Sequence, residues 1–430
     1  MDSLVFSHLR SRGAGADDSA LATACDLASP IVSIATTPIV GSLQFYHLNT
    51  IVSGACAAFS TAVILSLMYQ HATHLSRVNE QLHVLRICAF IPVYSIGIFL
   101  MVLAPRVYIY LLSFLVIYEA YALAYFYLLL CEILSEPDSG GSSSDVQRAT
   151  FLAPLAAHAR RAGRSVADKK GFFSPFQRFR RHWVLVFQCP PLTVVLMVAT
   201  VSTQATGYYC LTASDAAHAH LYLIVVQIAS MVGAVIGVVH TYAPLRRELK
   251  EHRALSKLWA FKLLIFLQVA QSLAFSILDG IDPPSIADSE FLSSTDVLIG
   301  LPLLIVSCEL VFFAVFFHYA YSVTPYKLTS EEKGAGQTYS IHGWQVWWEV
   351  LKIHDLIAAT KFMTRIFKEA QLLELEIQMG EGSCDANTQF QPQSEGAGGG
   401  VQKRWAPTKT ESGNDSSVVV GWAENARSVA

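Results

Sequence analysis

The sequence predicts an all-α membrane protein: a bundle of seven transmembrane helices, with its N-terminus outside or in a lumen and its C-terminus in the cytosol. The composition, the length of the apolar blocks and the distribution of basic residues predict this fold. Of the 430 residues, 53% are hydrophobic and only 15% are charged, whereas soluble domains carry about 25% charged residues. The apolar residues also form long blocks, as expected for a chain that crosses a bilayer.

Seven segments are long enough to cross the hydrocarbon layer, which takes roughly 20 apolar residues. They are Leu48–Tyr69, Val84–Leu103, Val107–Leu134, Val184–Thr206, His220–Tyr242, Leu258–Leu278 and Val297–Ala320. Residues 48–320 are therefore assigned to the transmembrane domain, and residues 1–47 to a segment outside. Within that segment, Ile31–Tyr46 is predicted to be an interfacial lead-in, with a partial eighth span as the alternative. The first twenty residues lack a signal-peptide pattern, so we expect the first span to direct insertion.

The basic residues of the loops predict the orientation. The loop over residues 135–183 holds nine Lys and Arg residues, and the loop after the fifth span holds five. The loops after the fourth and sixth spans hold none, and the sixth is acidic. Since positively charged loops stay in the cytosol, the third and fifth loops are predicted to lie inside. Contact with anionic lipid is the expected role of these charges, and no nucleic-acid partner is expected.

The segment over residues 321–379 is predicted to be cytosolic and to contain one amphipathic helix, Gly343–Ile377. Its apolar residues, including Trp344, Trp348 and Phe362, fall on one side of a helical wheel. This pattern favours a helix in the membrane interface, and docking onto the bundle is the alternative. The tail over residues 380–430 is rich in Gly, Ser, Gln and Asn, which is typical of disorder.

Two carboxylates are predicted deep in the bilayer. Glu119 and Glu309 each lie twelve residues after the outer start of their span, so both sit roughly 18 Å below the outer surface. Lys262, near the cytosolic end of the sixth span, could reach either one. Intramembrane charges usually face a bundle interior or a water-filled cavity. A solute or proton site, a structural ion pair between helices and a lipid-facing position all remain open.

Three tyrosines of the third span share a face with each other and lie too deep to be interface anchors. Tyr118, Tyr121 and Tyr125 need hydrogen-bond partners within the bundle, or they line a cavity for an amphipathic solute. Small residues every four positions in the fifth span, including Gly233 and Gly237, predict close helix packing.

Prolines and cysteines are given structural roles. Pro92 and Pro302 are predicted to kink their helices. Of the eight cysteines, most are expected to be buried apolar residues, and Cys25 could pair with Cys210 outside. We expect no metal, no cofactor and no enzymatic activity, because no matching motif is present.

Several segments carry a family resemblance. They are LRICAFIPVY at 85–94, YEA at 118–120, KLLIFLQVAQ at 262–271, Cys308–Glu309, Pro325–Tyr326 and WEVLKIHDLIAATKFMTRIF at 348–367. In this order and spacing they resemble the organic solute transporter alpha / transmembrane protein 184 family, in particular its fungal-type members. The resemblance implies the seven-helix topology and transport of organic solutes. Family motif positions are occupied by Arg86, Pro92, Tyr94, Tyr118, Glu119, Lys262, Glu309 and Pro325.

The leading hypothesis is a transporter, or transporter-like protein, for an amphipathic organic solute. Glu119, Glu309, Lys262, Tyr118, Tyr121 and Tyr125 are the predicted solute-binding residues. Arg86, Pro92, Tyr94, Gly233 and Gly237 are predicted to be structural. The expected partners are the bilayer and the solute, with a second copy or, as the resemblance implies, a single-span partner chain left open.

The alternative is a non-transporting receptor or scaffold of an internal membrane such as the vacuole, acting through its cytosolic tail. The plasma membrane and a vacuolar or endosomal membrane are both compatible with the sequence. A G-protein-coupled receptor is disfavoured because the third span ends CEILSE, without an acidic–Arg–aromatic triplet. A retinal protein is disfavoured because Val297–Ala320 contains no lysine.

Overall fold

The structure is a computed structural model, and the part of the chain that it describes is discontinuous. The described residues are 37–135, 143–161, 169–206, 208–209, 219–249, 296–328 and 344–368, with residues 257, 259, 260, 263, 267, 271, 274, 292, 339 and 371. Apart from one small hairpin and short irregular turns, these residues are helical. The prediction of an all-α membrane bundle is therefore confirmed.

A short hairpin precedes the first helix. Strand β1, Pro38–Val40, pairs antiparallel with strand β2, Leu43–Gln44. Gly41 between them has a φ of 60°, a left-handed conformation that glycine adopts without a steric cost. The predicted interfacial lead-in over residues 31–46 is thus a hairpin in its described part, and residues 31–36 lie outside the described residues.

Helix α1, Phe45–Thr73, packs against the second and seventh spans of the larger unit. It packs most extensively against helix α3, Phe90–Leu103, and helix α9, Leu301–Ala320. Polar groups fix both contacts: the side chain of Asn49 donates to the Gly300 carbonyl at 2.9 Å, and the hydroxyls of Ser60 and Ser95 lie 2.8 Å apart. Such interhelical bonds align neighbouring helices within a bilayer.

The second span is built from two helices. Helix α2, Val78–Cys88, ends at Ala89, where α3 begins. Cys88 is four residues before Pro92, and a proline both lacks the N–H for that carbonyl and clashes with it. The break at Ala89 is therefore the kink predicted for Pro92. The third span is the single helix α4, Tyr108–Leu134.

The fourth span is also interrupted. Helix α6, Lys169–Phe187, meets helix α7, Cys189–Ala205, at Gln188, just before Pro190. The fifth span is helix α8, Ala219–Leu245, which packs against α7. Its two glycines face α6. A Cβ built on Gly237 would lie 2.9 Å from the His182 carbonyl oxygen, and one built on Gly233 would lie 3.3 Å from a Leu185 methyl.

The sixth predicted span lies mostly outside the described residues. Its described members are helical, and they include Leu263, Leu267 and Gln271. In the seventh span, a π turn over Asp296–Gly300 leads into α9, whose second residue is Pro302. The five cysteines within the described residues are free; Cys25 and Cys210 lie outside them.

Six described helices, or pairs of helices joined end to end, are long and apolar enough to span a membrane. They are Phe45–Thr73, Val78–Leu103, Pro105–Leu134, Ser174–Ala205, Ala219–Leu245 and Leu301–Tyr326. Each overlaps one of the seven predicted spans. The seventh helix and the orientation of the bundle stay predictions.

The segment after the bundle corrects one expectation. The single amphipathic helix predicted over residues 343–377 is two helices: α10, Trp344–Leu351, and α11 over residues 354–368. Residues 352 and 353 separate them. The apolar residues of the predicted face divide accordingly, because Trp344 and Trp348 are exposed whereas Leu356, Phe362 and Ile366 are buried.

A second, smaller unit consists of residues 134–180 together with residues from 361 onward. It contains helix α5, Ser143–Arg161, within the predicted basic loop. Inside this unit the rings of Phe151 and Phe362 lie 5.4 Å apart, and the Arg180 guanidinium lies 5.1 Å from the Phe367 ring. The basic segment over residues 135–183 is therefore largely helical in its described part.

The two glycines of α8 provide a matched pair for testing the packing. Gly237→Ala should lower the free energy of unfolding by about 1–3 kcal/mol, because the new methyl group meets a backbone carbonyl that cannot move aside. Gly233→Ala should have a much smaller effect, since a flexible leucine methyl can shift. Thermal unfolding of both variants in detergent checks this, and equal losses would contradict it.

Candidate functional site

Glu119 lies in the middle of α4 and is held by the neighbouring helix α3. Only 5% of its surface is exposed. The hydroxyl of Tyr94 donates a hydrogen bond to its carboxylate at 3.1 Å. Tyr94 was predicted to be structural, and in the structure its hydroxyl positions the Glu119 carboxylate.

Aromatic rings surround this contact. The ring of Phe90 lies 4.4 Å from the ring of Tyr94, tilted by 34°. It lies 6.4 Å from the nearly parallel ring of Tyr118. The Tyr118 hydroxyl donates to the Arg86 carbonyl at 3.2 Å. Tyr121, one turn further along α4, is half-buried. The predicted need of the deep tyrosines for partners inside the bundle is thus met at Tyr118 by the backbone of α2.

Glu309 lies on α9 and has a different partner. It is half-buried, and the side-chain amide of Gln271, from the sixth predicted span, donates to its carboxylate. Lys262, the predicted counter-charge, lies outside the described residues. The described hydrogen-bond donor to Glu309 is thus the neutral side-chain amide of Gln271.

Both intramembrane carboxylates thus accept a hydrogen bond from an uncharged donor. A hydroxyl or an amide leaves a carboxylate able to bind a proton or a positively charged group, whereas a fixed ammonium ion would neutralise it. A bare charge at this depth costs roughly 2.5–3.5 kcal/mol or more. An ionisable group in such a setting is a candidate for binding a proton or a polar ligand.

Arg86 has the largest set of polar contacts described in the chain. It lies on α2 and is 3% exposed. Its guanidinium donates to the carbonyls of Glu349, Val350 and Lys352 at 2.9–3.1 Å, and to the Asp355 carboxylate at 2.7 Å. The carbonyls at the end of a helix lack partners within the helix. One side chain of α2 therefore caps α10 and also pairs with the first turn of α11.

Two further groups complete this joint. The Arg86 guanidinium lies 5.0 Å from the centre of the Tyr125 ring, within range of a cation–π interaction. The indole N–H of Trp183 donates to the Ala359 carbonyl at 3.1 Å, so α6 holds α11 as well. Within the described residues, the buried Tyr125 hydroxyl has no hydrogen-bond partner. The structure thus places both Tyr118 and Tyr125, two predicted solute-binding residues, against Arg86.

A second buried polar group joins the ends of four spans; we call His71, Glu80, Lys257, Tyr321 and Tyr326 the basal cluster. Tyr326 donates to the Glu80 carboxylate at 2.6 Å, and Tyr321 donates to the Lys257 carbonyl at 3.2 Å. The His71 imidazole contacts the Tyr321 carbonyl at 2.7 Å. The Lys257 ammonium lies 5.9 and 6.0 Å from the rings of Tyr321 and Tyr326.

The charges of the basal cluster are largely shielded from solvent. Glu80 and Lys257 are both buried. Burial lowers the pKa of Lys257 below its ordinary value, and the negative charge of Glu80 opposes that effect. Sequence reasoning missed this cluster because Lys257 was counted among the loop charges. The available signal was the motif Pro325–Tyr326, which places a tyrosine just beyond the last span.

Comparison with known families gives one match. A family model described as organic solute transporter Ostalpha matches residues 49–326. This range begins inside α1 and ends at Tyr326 of the basal cluster. No solved structure matches the chain.

Replacing Arg86 tests the joint. Arg86→Lys removes the planar guanidinium that reaches three carbonyls and a carboxylate at once, so we expect a loss of about 3 kcal/mol or more in stability. Residues 344–360 should exchange their amide hydrogens faster. Thermal unfolding and hydrogen exchange in detergent measure the two effects.

Asp355→Asn and Arg77→Lys are the controls for this replacement. The first keeps the three carbonyl bonds and should cost less. The second changes an arginine whose side chain is 62% exposed and should leave residues 344–360 protected. Unchanged protection in Arg86→Lys would show that the joint does not hold this segment.

The basal cluster generates a separate prediction. Tyr326→Phe removes the 2.6 Å donor of Glu80 Oε1 and leaves this buried carboxylate only the 3.4 Å bond from Arg77 to Oε2. A buried oxygen that loses its donor costs about 1–3 kcal/mol. Tyr321→Phe removes only a bond to a backbone carbonyl and should cost less. Equal melting temperatures of the two variants would argue against this assignment.

Proposed function

The chain belongs to the organic solute transporter Ostalpha family, and on that basis we propose that it moves an amphipathic organic solute across the membrane in which it is embedded. It is a multi-pass integral membrane protein of transporter-like type. The family match covers nearly all six described spans. The solute itself is the part that we propose.

The pair of intramembrane glutamates is the observation that carries this proposal. Glu119 and Glu309 lie on two spans, and each is bonded to a neutral donor, Tyr94 or Gln271. Ionisable residues within a membrane are rare and costly, and they commonly mark substrate, ion or proton pathways. A solute with a polar head and an apolar body would match a carboxylate site that is walled by apolar helices.

The two glutamates differ in how accessible they are. Glu309 is half-buried, whereas Glu119 is buried and accepts a hydrogen bond from the Tyr94 hydroxyl. We propose that Glu309 meets the solute or its accompanying proton first and that Glu119 is reached after α3 and α4 move apart. Lys262 and Tyr121 are proposed as further contacts. Tyr118 and Tyr125 would act through the position of Arg86 and α2.

The membrane location and the assembly partners of the protein are also proposed. We propose the plasma membrane or a vacuolar or endosomal membrane as its location. A second copy or a single-span partner chain is proposed as an assembly partner. No enzymatic step is proposed.

Charge removal at the two glutamates tests the proposal. Glu309→Gln and Glu119→Gln should each reduce solute flux at least about tenfold, because a neutral amide can bind neither a proton nor a cation. A tenfold loss equals about 1.4 kcal/mol in the free energy of the transport step. Both variants should still insert, since the side-chain volume is unchanged. Uptake of labelled amphipathic anions and cations into proteoliposomes, with and without a pH gradient, is the measurement.

Glu248→Gln is the matched control because Glu248 is exposed just after α8. It should transport as well as the unmodified chain. Undiminished flux in both Glu119→Gln and Glu309→Gln would sink the site assignment. Absence of flux of any amphipathic anion or cation in the unmodified chain would sink the function.

A further inference from the structure

Helix α10 presents large apolar side chains away from the protein. Trp344, Trp348 and Leu351 are 87, 66 and 72% exposed. They are spaced four and three residues apart, so they lie on one face of the helix. We call these three residues the tryptophan stripe. Exposed apolar surface of this kind on a folded element marks a contact surface.

The rest of α10 is firmly held. Val346, on the opposite face, is fully buried, and α10 packs against α2. Arg86 caps its C-terminal end through three carbonyls. Because the helix cannot rotate without breaking these bonds, its outward face is fixed.

The position of Arg86 in the second span indicates the depth of α10. The span helix over Val78–Leu103 begins with the polar residues Asn79, Glu80, Gln81 and His83 and is mainly apolar only from Val84. The apolar run over residues 84–103 contains 20 residues, which at 1.5 Å per residue match the roughly 30 Å of the hydrocarbon layer. Arg86 lies two residues inside this run, about 3 Å from its end. The carbonyls that it binds on α10 therefore lie level with the boundary between hydrocarbon and headgroups.

At that level the surface of the bundle is surrounded by lipid, and the residues of the tryptophan stripe are of the type found there. Tryptophan is enriched where headgroups meet acyl chains, because its ring is apolar and its N–H is polar. The nearby charges cancel, since Lys352 is paired with Glu349 on the same turn. The stripe therefore requires a lipid surface but not an anionic one.

We propose that Trp344, Trp348 and Leu351 insert between the phospholipids of the leaflet at the α2 end of the bundle. Helix α10 then links this leaflet to Arg86, and through Arg86 to the aromatic face of α4. This inference concerns membrane contact and does not depend on which solute is moved. Of the apolar residues in the helix predicted over residues 343–377, the two exposed tryptophans of α10 therefore contact the bilayer, and the buried residues of α11 contact the protein.

Contact quenching of tryptophan emission tests the proposal. The full chain is reconstituted in phosphatidylcholine vesicles whose acyl chains carry bromine near the ester end. The emission that is lost in Trp344→Phe and in Trp348→Phe gives the contribution of each ring. We expect bromine to quench the emission of Trp344 and of Trp348 several-fold more strongly than the emission of Trp347. Trp347 is the control because it is half-buried, and its emission is obtained in the same way from Trp347→Phe.

The competing outcomes are distinct. Quenching by aqueous iodide but not by bromolipid would place the stripe in water and overturn the proposal. Emission that depends on the protein-to-lipid ratio, with no bromine effect, would indicate a second copy of the chain and would also overturn it. Equal quenching with and without added phosphatidylserine is expected, and a strict need for anionic lipid would contradict a neutral-headgroup contact.

Discussion

A buried guanidinium is the constraint on which much of the larger unit depends. Arg86 is 3% exposed, and removing an arginine from water is costly unless its donors are used. The protein uses them on the end of α10, on Asp355 and against the Tyr125 ring. As a result α2, α4, α10 and α11 share one centre. Residues 344–360, which follow the last span, are therefore packed against the bundle. A truncation beyond Tyr339 would remove α10 and α11 as well as the tail.

Most of the spans were predictable because the bilayer imposes a length and an apolar composition on each of them. The helix break before Pro92 was predictable for the same kind of reason, since the missing N–H and the ring clash are local. The division of the predicted helix over residues 343–377 was not. Its wheel showed one apolar face, but whether Leu356 and Trp348 meet protein or lipid depends on where α2 and α6 lie. The positions of α2 and α6 are a matter of tertiary structure, which the helical periodicity of one segment does not determine.

The candidate site shows the same limit. Two glutamates at one predicted depth follow from spacing alone, but their partners do not, because Tyr94 and Gln271 come from other helices. The deep tyrosines were predicted either to bond within the bundle or to line a cavity. Tyr118 bonds to the Arg86 carbonyl, a partner that the sequence pattern could not identify. The basal cluster escaped notice because charge counting treats Lys257 as a loop residue. Burial of a lysine beside Glu80 is visible only once the span ends are brought together.

The joint at Arg86 also bears on how the protein is made. Arg86 is separated from its partners on α10 and α11 by 263–269 residues. At roughly 5–20 residues per second of synthesis, the ribosome supplies those partners on the order of 10–50 s after Arg86 has emerged. During this interval the guanidinium lacks its partners on α10 and α11 and has only nearby groups such as the Tyr125 ring. A chain that ends before residue 349 would therefore leave most of the Arg86 donors without the acceptors that they have in the folded protein.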